Sequence, residues 1–261
     1  MQSFLTPTLA PGAAQSPYLV SRLLTRTQET LFDFVKFRAI REVLPEPDGA
    51  PIRIADFGCG PQVAARRLNA LGVDFDYCGV DYESDFRPDV VGDLRVPERL
   101  AEELPWTPDV ITLLDVLEHL DGCEADIRAV LRCCHELLRR NRGLLVITVP
   151  QMYRLDKLKL SHLHYAEHKV RMTQGEWRGL IEEYFEVEAV SAVGFLSVIP
   201  YLTMLSRRFR PDNWLGRAFR HLRETTMEKK WIHGLDWWLS RHAPKFTKEW
   251  SNDILFAARP R

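Results

Sequence analysis

Two glycines separated by one residue lie directly after a short apolar run, in the segment Asp-Phe-Gly-Cys-Gly at residues 56–60. Glycines between a strand and a helix let the backbone approach a ligand closely and direct amide groups at it. A dinucleotide-binding loop would have a third glycine where this chain has Val63. The loop therefore favours a ligand without a pyrophosphate over NAD or FAD, although a tight turn without a ligand remains an alternative.

Two acidic residues follow the next two apolar runs. Asp81 ends the second run, where its carboxylate can accept hydrogen bonds from both hydroxyls of a ribose. Asp93, followed by Leu94, ends the third run, within reach of an adenine amino group. A helix N-cap for Asp81 and a turn for Asp93 are the structural alternatives. Together the acids and the glycine loop predict an adenosine-containing ligand.

Short apolar runs alternate with helical segments, which predicts βαβ units and a parallel sheet. Strands are expected at residues 52–57, 75–81, 90–91, 110–114, 144–149, 187–190 and 254–257, and helices at 62–71, 124–138 and 174–183. A helical pattern at 18–44 precedes the first strand, and a mainly helical excursion at 195–250 precedes the last. We divide the chain into a leader and cap helix (1–49), a ligand-binding domain (50–194), a helical lid insertion (195–250) and a final strand of that domain (251–261).

The composition is that of an ordinary globular domain. In 261 residues, 46% are hydrophobic and 27% charged, with a net charge of −1, which argues against disorder and against a membrane bundle. The five cysteines form no C-x-x-C pair, which argues against a disulfide framework or a cysteine zinc site. The expected location is the cytoplasm, because free cysteines persist in a reducing compartment.

Four segments in order resemble the motifs of class I S-adenosylmethionine-dependent methyltransferases: Ala-Asp-Phe-Gly-Cys-Gly at 55–60, Gly-Val-Asp at 79–81, Gly-Asp-Leu at 92–94 and the stretch 109–120. The segment Glu-His-Lys-Val-Arg-Met-Thr at 167–173 is similar to one in the branch that includes ubiquinone-biosynthesis O-methyltransferases. Residues 235–239 and 253–259 resemble the closing helix and last strand of that branch.

The resemblance implies an α/β fold, namely a Rossmann-like, doubly wound, seven-stranded sheet whose last strand is antiparallel. It also implies an S-adenosyl-L-methionine site. Asp56, Gly58 and Gly60 match the cofactor loop. Asp81 matches the ribose acid, Asp93 and Leu94 the adenine contacts, and Asp115 the residue beside the methionine part. Gln62 stands where the family often has a further glycine, which leaves the path of the loop open.

Methyl transfer from a sulfonium is an in-line displacement, so the protein mainly holds the two reactants in line and excludes water. If the acceptor is a hydroxyl, histidine is the natural base near neutral pH. His119, His164 and His168 are the candidates, with His162 a further one, because all of them follow strands that end at the functional edge. A structural or solvated histidine is the alternative for each.

A divalent metal is a competing interpretation. Asp115, Glu118 and His119 have a spacing that places them on one helical face, and His168 could complete the set. The pattern is similar to that of small-RNA 2'-O-methyltransferases, although Asp115 replaces their first glutamate. We predict no metal.

The excursion between residues 207 and 230 has eight basic and three acidic residues interleaved with apolar ones. We interpret it as a lid over the acceptor, roofed by Trp214, Phe219, Trp237 and Trp238. A peripheral membrane contact through this basic lid stays open.

The sequence thus predicts a methyltransferase that acts on a small-molecule acceptor, through oxygen, and it does not favour a nucleic-acid partner. A metal-dependent RNA 2'-O-methyltransferase and a non-catalytic S-adenosylmethionine-binding protein are the alternatives.

Overall fold

A single mixed sheet organises the molecule. The computed structural model describes residues 30–94, 96, 99–120, 124–151, 159, 167–196, 213–222, 229–243 and 250–261. Its strands are β1 (Ile52–Phe57), β2 (Phe75–Asp81), β3 (Val90–Val91), β4 (Val110–Leu114), β5 (Leu144–Pro150), β6 (Phe185–Val193) and β7 (Asp253–Pro260). They are ordered β3-β2-β1-β4-β5-β7-β6.

Strands β1 to β5 pair in parallel, and β7 runs antiparallel to both of its neighbours. The strand order reverses at β1, with β2 on one side and β4 on the other, so a crevice opens at the carboxyl ends of these three strands. The predicted Rossmann-like fold with an antiparallel last strand is confirmed.

The described residues form seven α-helices. They are α1 (Leu31–Val43), α2 (Val63–Ala70), α3 (Leu100–Glu103), α4 (Glu124–Leu138), α5 (Gln174–Glu182), α6 (Trp214–Leu222) and α7 (Lys230–His242). Capping boxes define where two of them begin: Thr30 and Asp33 exchange hydrogen bonds with each other's backbone at α1, as Thr173 and Glu176 do at α5.

Two apolar cores lie on opposite faces of the sheet. Phe57 of β1 packs in the core that α4 and α5 cover, and Ile54 of the same strand packs in the core that α1 and α2 cover. Alternate residues of a strand face opposite sides, so the sheet is the middle of three layers. Ile232 of α7 joins the second core. No helix in the described part of the chain is long and apolar enough to cross a bilayer.

Candidate active site

A cavity of about 660 Å³ lies at the carboxyl ends of β1, β2 and β4. Its volume is within the range of roughly 300–1,000 Å³ that is typical of ligand pockets. All seven residues that the sequence assigned to the cofactor border this cavity: Asp56, Gly58, Gly60, Asp81, Asp93, Leu94 and Asp115. Parallel strands end at the same edge of the sheet, so the motifs that follow β1, β2 and β4 meet in one cavity.

The two loop glycines have different roles, although both have positive φ angles, +75° at Gly58 and +49° at Gly60. A Cβ atom on Gly58 would lie 2.6 Å from Cγ2 of Val116, so this glycine allows the loop to pack on the chain after β4. A Cβ atom on Gly60 would meet nothing within 4 Å. Gly60 borders the cavity, so its open side faces the space available to a ligand.

Gln62 has an unusual backbone conformation at the position where the family often has a further glycine. Its φ of +53° lies in the left-handed region, the conformation that glycine adopts most readily. The side-chain amide of Gln62 donates to the carbonyl oxygen of Arg87 at 3.0 Å. Gln62 thus adopts, at the position where the family often has a glycine, a backbone conformation that glycine favours.

Asp81 connects β2 to the glycine loop. One carboxylate oxygen accepts a hydrogen bond from the amide of Gly60 at 2.8 Å, and the other accepts from the amide of Glu83 at 2.9 Å. Burial raises the pKa of Asp81, and the amide hydrogen bonds partly offset that rise. The ribose role predicted for this carboxylate is compatible with its place on the cavity wall.

The carboxylate of Asp56 is engaged by hydroxyl groups from the two neighbouring strands. Tyr77 of β2 donates to one oxygen at 2.7 Å, and Thr112 of β4 donates to the other at 2.5 Å. Burial raises the pKa of Asp56, and these two hydrogen bonds lower it less. Asp56 therefore braces the three central strands beneath the cavity, a role that the motif alone did not indicate.

Asp115 has a left-handed backbone conformation, with φ +57°, directly after β4. Its carboxylate lies 2.5 Å from Nζ of Lys36 and accepts a hydrogen bond from Thr148 Oγ1 at 2.7 Å. Burial by itself would raise the pKa of Asp115, but the Lys36 charge and hydrogen bonds from Asp253, Lys36 and Thr148 bring it below the usual value. Asp115 is thus a fixed anion on the cavity wall.

Lys36 and Asp253 complete this buried group, and sequence reasoning missed both. Lys36 comes from α1 and borders the cavity with its side chain 6% exposed. Asp253 begins β7, and its carboxylate lies 4.0 Å from Lys36 Nζ. Burial, and then the charge of Asp115, raise the pKa of Asp253 well above its usual value. No sequence motif indicated them, because the three residues are far apart in the chain.

His119 borders the cavity and has a defined orientation. Its Nδ1 lies 3.0 Å from the carbonyl oxygen of Glu167, which can only accept a hydrogen bond, so Nδ1 carries the hydrogen in the neutral ring. The lone pair of neutral His119 is then on Nε2, 3.7 Å from a carboxylate oxygen of Glu118.

His168 packs against His119 with ring centroids 5.0 Å apart, edge to face. Ligand atoms of Glu118, His119 and His168 all lie within 4.8 Å of one another, which could hold a metal ion. Asp115 is not part of this group and is engaged by Lys36 instead. Three of the four residues in the metal hypothesis therefore come together. His162 and His164 lie outside the described residues.

The predicted aromatic roof is not formed by the tryptophans named for it. The cavity lining in the described structure includes none of Trp214, Trp237 and Trp238. Trp237 packs against the core under α1, and Trp238 is 55% exposed. Helix α7 packs on α1 and β6, and its Ser240 and Asp236 accept hydrogen bonds from the backbone amides of Gly194, Phe195 and Leu196, directly after β6. The side chain of Phe219 and residues 207, 208 and 210 lie outside the described part.

The sheet order, the antiparallel last strand and the cavity at the strand reversal match the fold of class I S-adenosylmethionine-dependent methyltransferases. A family model described as a methyltransferase domain matches residues 25–187, more than half of the chain. The chain therefore belongs to this methyltransferase family.

Comparison with individual proteins supports this assignment. The chain is 30% identical over 106 residues to a ubiquinone biosynthesis O-methyltransferase of Pseudomonas aeruginosa strain UCBPP-PA14, a match that covers 37% of this chain and 44% of that protein. It therefore spans less than half the length of the curated relatives that it matches.

Among solved structures, a SAM-dependent methyltransferase from Archaeoglobus fulgidus has a TM-score of 0.55 at 15% identity and covers 94% of this chain and 100% of its own. A Haloferax volcanii complex between the Trm112 methyltransferase activator and a putative methyltransferase has a TM-score of 0.51 at 15% identity, covering 88% of this chain and 92% of that one. At these identities the two structures show the fold.

Proposed function

We propose that this protein transfers the methyl group of S-adenosyl-L-methionine to an oxygen atom of a small-molecule acceptor. One observation carries the proposal: a single cavity joins the glycine loop and Asp81 to His119, whose ring orientation is fixed. The partial similarity to ubiquinone biosynthesis O-methyltransferases supports oxygen as the acceptor atom. We also propose a cytoplasmic location, with which the free cysteines of the described residues, Cys59, Cys78, Cys133 and Cys134, are compatible.

The charged residues fit the methionine part of the cofactor, which has both a carboxylate and an ammonium group. Lys36 offers a cation at the cavity wall, and Asp115 offers an anion beside it. The amide of Gly60 is held by Asp81, and the carboxylate of Asp81 borders the space that we assign to the ribose. In this arrangement the chain binds the cofactor at both ends.

His119 is the candidate general base. With Nδ1 donating to the Glu167 carbonyl oxygen, Nε2 can accept the hydroxyl proton of the acceptor as the new carbon–oxygen bond forms. The buried Glu118 carboxylate beside Nε2 would stabilise the resulting imidazolium. The sulfur–carbon bond breaks in the same step, and neutral S-adenosylhomocysteine leaves.

A metal-dependent O-methyltransferase is the second candidate, because the ligand atoms of Glu118, His119 and His168 lie together. One carboxylate and two imidazoles suit zinc or manganese, and a bound ion would lower the pKa of an acceptor hydroxyl. Metal analysis of the purified protein separates the candidates. Stoichiometric metal that a chelator removes together with activity would favour the second one and would reopen RNA as an acceptor.

The function is tested by supplying isotopically labelled S-adenosyl-L-methionine to fractions of a cell extract that separate small molecules, lipids and RNA. We expect label to appear in a small organic molecule. Calorimetric titration with the cofactor is the accompanying measurement. Tight cofactor binding without transfer into any fraction would contradict the proposal and favour a non-catalytic cofactor-binding protein.

A further inference from the structure

Three large apolar side chains lie together on the outer face of α7. Trp231, Leu235 and Trp238 are 64%, 41% and 55% exposed. Their spacing of four and three residues places them on one stripe of the helix, within about 60° of one another. Ile232 and Asp236 of the same helix are buried against the rest of the molecule. The apolar stripe is therefore separate from the face of α7 that packs against the rest of the protein.

The exposed charged residues of α7 and of its N-cap are positive, and Glu42 of α1 pairs with one of them, Arg241. Lys229 and Lys230 are exposed where α7 begins, and Arg241 lies in its last turn, beside Glu42 of α1. Residues 229–243 contain one acidic residue, Asp236, and its side chain is fully buried. The Asp236 carboxylate accepts hydrogen bonds from the backbone amides of Phe195 and Leu196. Within these residues the exposed charges are thus all positive, although the whole chain has a net charge of −1.

An amphipathic helix with tryptophan on its apolar face and lysine beside it matches the chemistry of an anionic lipid surface. Tryptophan prefers the headgroup region of a bilayer, and basic side chains are attracted to acidic headgroups. We propose that α7 docks on an anionic membrane surface, with the stripe of Trp231, Leu235 and Trp238 entering the headgroup region. This docking goes beyond methyl transfer, and α7 lies outside the residues that match the family model.

Docking of α7 on a membrane would also set the orientation of the cavity relative to the lipid surface. Helix α7 packs against α1, and α1 contributes Lys36 and Phe37 to the cavity wall. A lipid surface on the outer side of α7 would therefore lie beside the α1 side of the cavity.

The experiment is co-sedimentation of the full chain with vesicles of phosphatidylcholine alone and of equal parts of phosphatidylcholine and phosphatidylglycerol. We expect binding to the anionic vesicles that weakens as salt is raised, and little binding to phosphatidylcholine alone. Removing both lysines, in Lys229→Ala with Lys230→Ala, should lower partitioning by about tenfold to thirtyfold. Trp231→Ser with Trp238→Ser should reduce it at least as much.

Arg139→Ala with Arg140→Ala is the matched control. It also removes two exposed positive charges, but at the end of α4, on the opposite face of the sheet. This control should keep wild-type partitioning, and all variants should keep the wild-type thermal midpoint and cofactor affinity. Equal losses in the control and the α7 variants, or no binding by the wild type, would overturn the proposal. So would self-association that the tryptophan variant abolishes in the absence of vesicles, because the occupant would then be a second copy of the chain.

Discussion

At the scale of single residues, Gly60 is the position where a side chain should exclude the cofactor with the least damage to the protein. A Cβ atom there meets no protein atom within 4 Å, and the residue borders the cavity. Gly60→Val should therefore place its methyl groups in the ligand's space. We expect calorimetric titration to detect no S-adenosyl-L-methionine binding, while circular dichroism shows a folded protein.

Gly72→Val is the matched control for backbone strain. Gly72 also has a positive φ, +71°, with nothing within 4 Å of a built Cβ, but it lies at the end of α2 away from the cavity. Both variants have an unfavourable left-handed side chain, which costs about 1–2 kcal/mol. Equal cofactor affinity in the two variants would contradict the site assignment. Gly58→Val is less informative, since its side chain would collide with Val116.

The two adjacent histidines allow proton transfer and metal catalysis to be separated. If His119 is the base, His119→Gln should lower turnover by about a hundredfold or more, and His168→Gln should keep most activity. A chelator should then have no effect. If an ion binds Glu118, His119 and His168, both variants should lose activity and metal to a similar degree.

The measurements are steady-state turnover with and without chelator, and metal content by elemental analysis. Cofactor affinity is the control, because it should stay within about threefold of wild type in both variants. Loss of activity in His168→Gln that tracks loss of a bound metal would disprove the assignment of His119 as a simple base.

Residues that contact a ligand through a local motif could be identified from the sequence, and residues that act through tertiary contacts could not. Gly60 and Asp81 follow strands in a fixed pattern, so their place at the strand edge was predictable. Lys36 is 79 residues from Asp115 and lies in an amphipathic helix, where a lysine ordinarily faces solvent. Only the packing of α1 directs it into the cavity.

At the scale of elements, the carboxylates of Asp115 and Asp253 bring together β4 and β7 with Lys36 of α1. Asp253 has its pKa raised by burial and by the charge of Asp115, so folded protein keeps a proton there that the unfolded chain releases above about pH 4. The folded state therefore binds more protons, and this residue makes stability fall as the pH rises from about 4. Asp253→Asn should remove that dependence.

The measurement is the thermal midpoint of wild type and of Asp253→Asn from about pH 4 to 8. The midpoint of the variant should rise relative to that of the wild type as the pH increases. Asp109→Asn should show the opposite trend. The hydrogen bonds from Arg53 lower the pKa of Asp109, so its stabilisation is present above the unfolded pKa and is lost as the pH falls. Parallel pH profiles for wild type and Asp253→Asn would show that Asp253 is ionised in the folded state.

The bounds of a fully buried strand could be predicted from the sequence, whereas the position of α7 could not. The sequence placed β4 at its observed bounds, since a strand buried on both faces reads as a nearly continuous apolar run. The tryptophans of α7 were expected over the acceptor, but only Trp237 turns inward, toward the core of α1. An aromatic pattern reveals that a helix has an apolar face without revealing which surface it covers.

At the scale of the whole molecule, helix α1 links the cofactor cavity to the helices and strands that it packs against. Helix α1 packs on the sheet, on α2 and on α7, and its Lys36 reaches the cavity. A ligand that binds only the folded state stabilises it, by about 2.7 kcal/mol at a hundredfold excess over its dissociation constant. Because Lys36 belongs to α1, that stabilisation should extend to this helix as well as to the glycine loop.

Lys36→Met tests this connection, because methionine keeps the length of the side chain and removes its charge. A charged hydrogen bond contributes about 1.5–3 kcal/mol, so cofactor affinity should fall by about tenfold to a hundredfold, with Lys36→Arg affected less. Hydrogen exchange is then measured with each protein saturated by cofactor. In wild type, exchange should slow in both residues 56–60 and α1, and in Lys36→Met it should slow in the loop alone. Equal slowing of α1 in both proteins would show that the connection passes through apolar packing and not through the Lys36 charge.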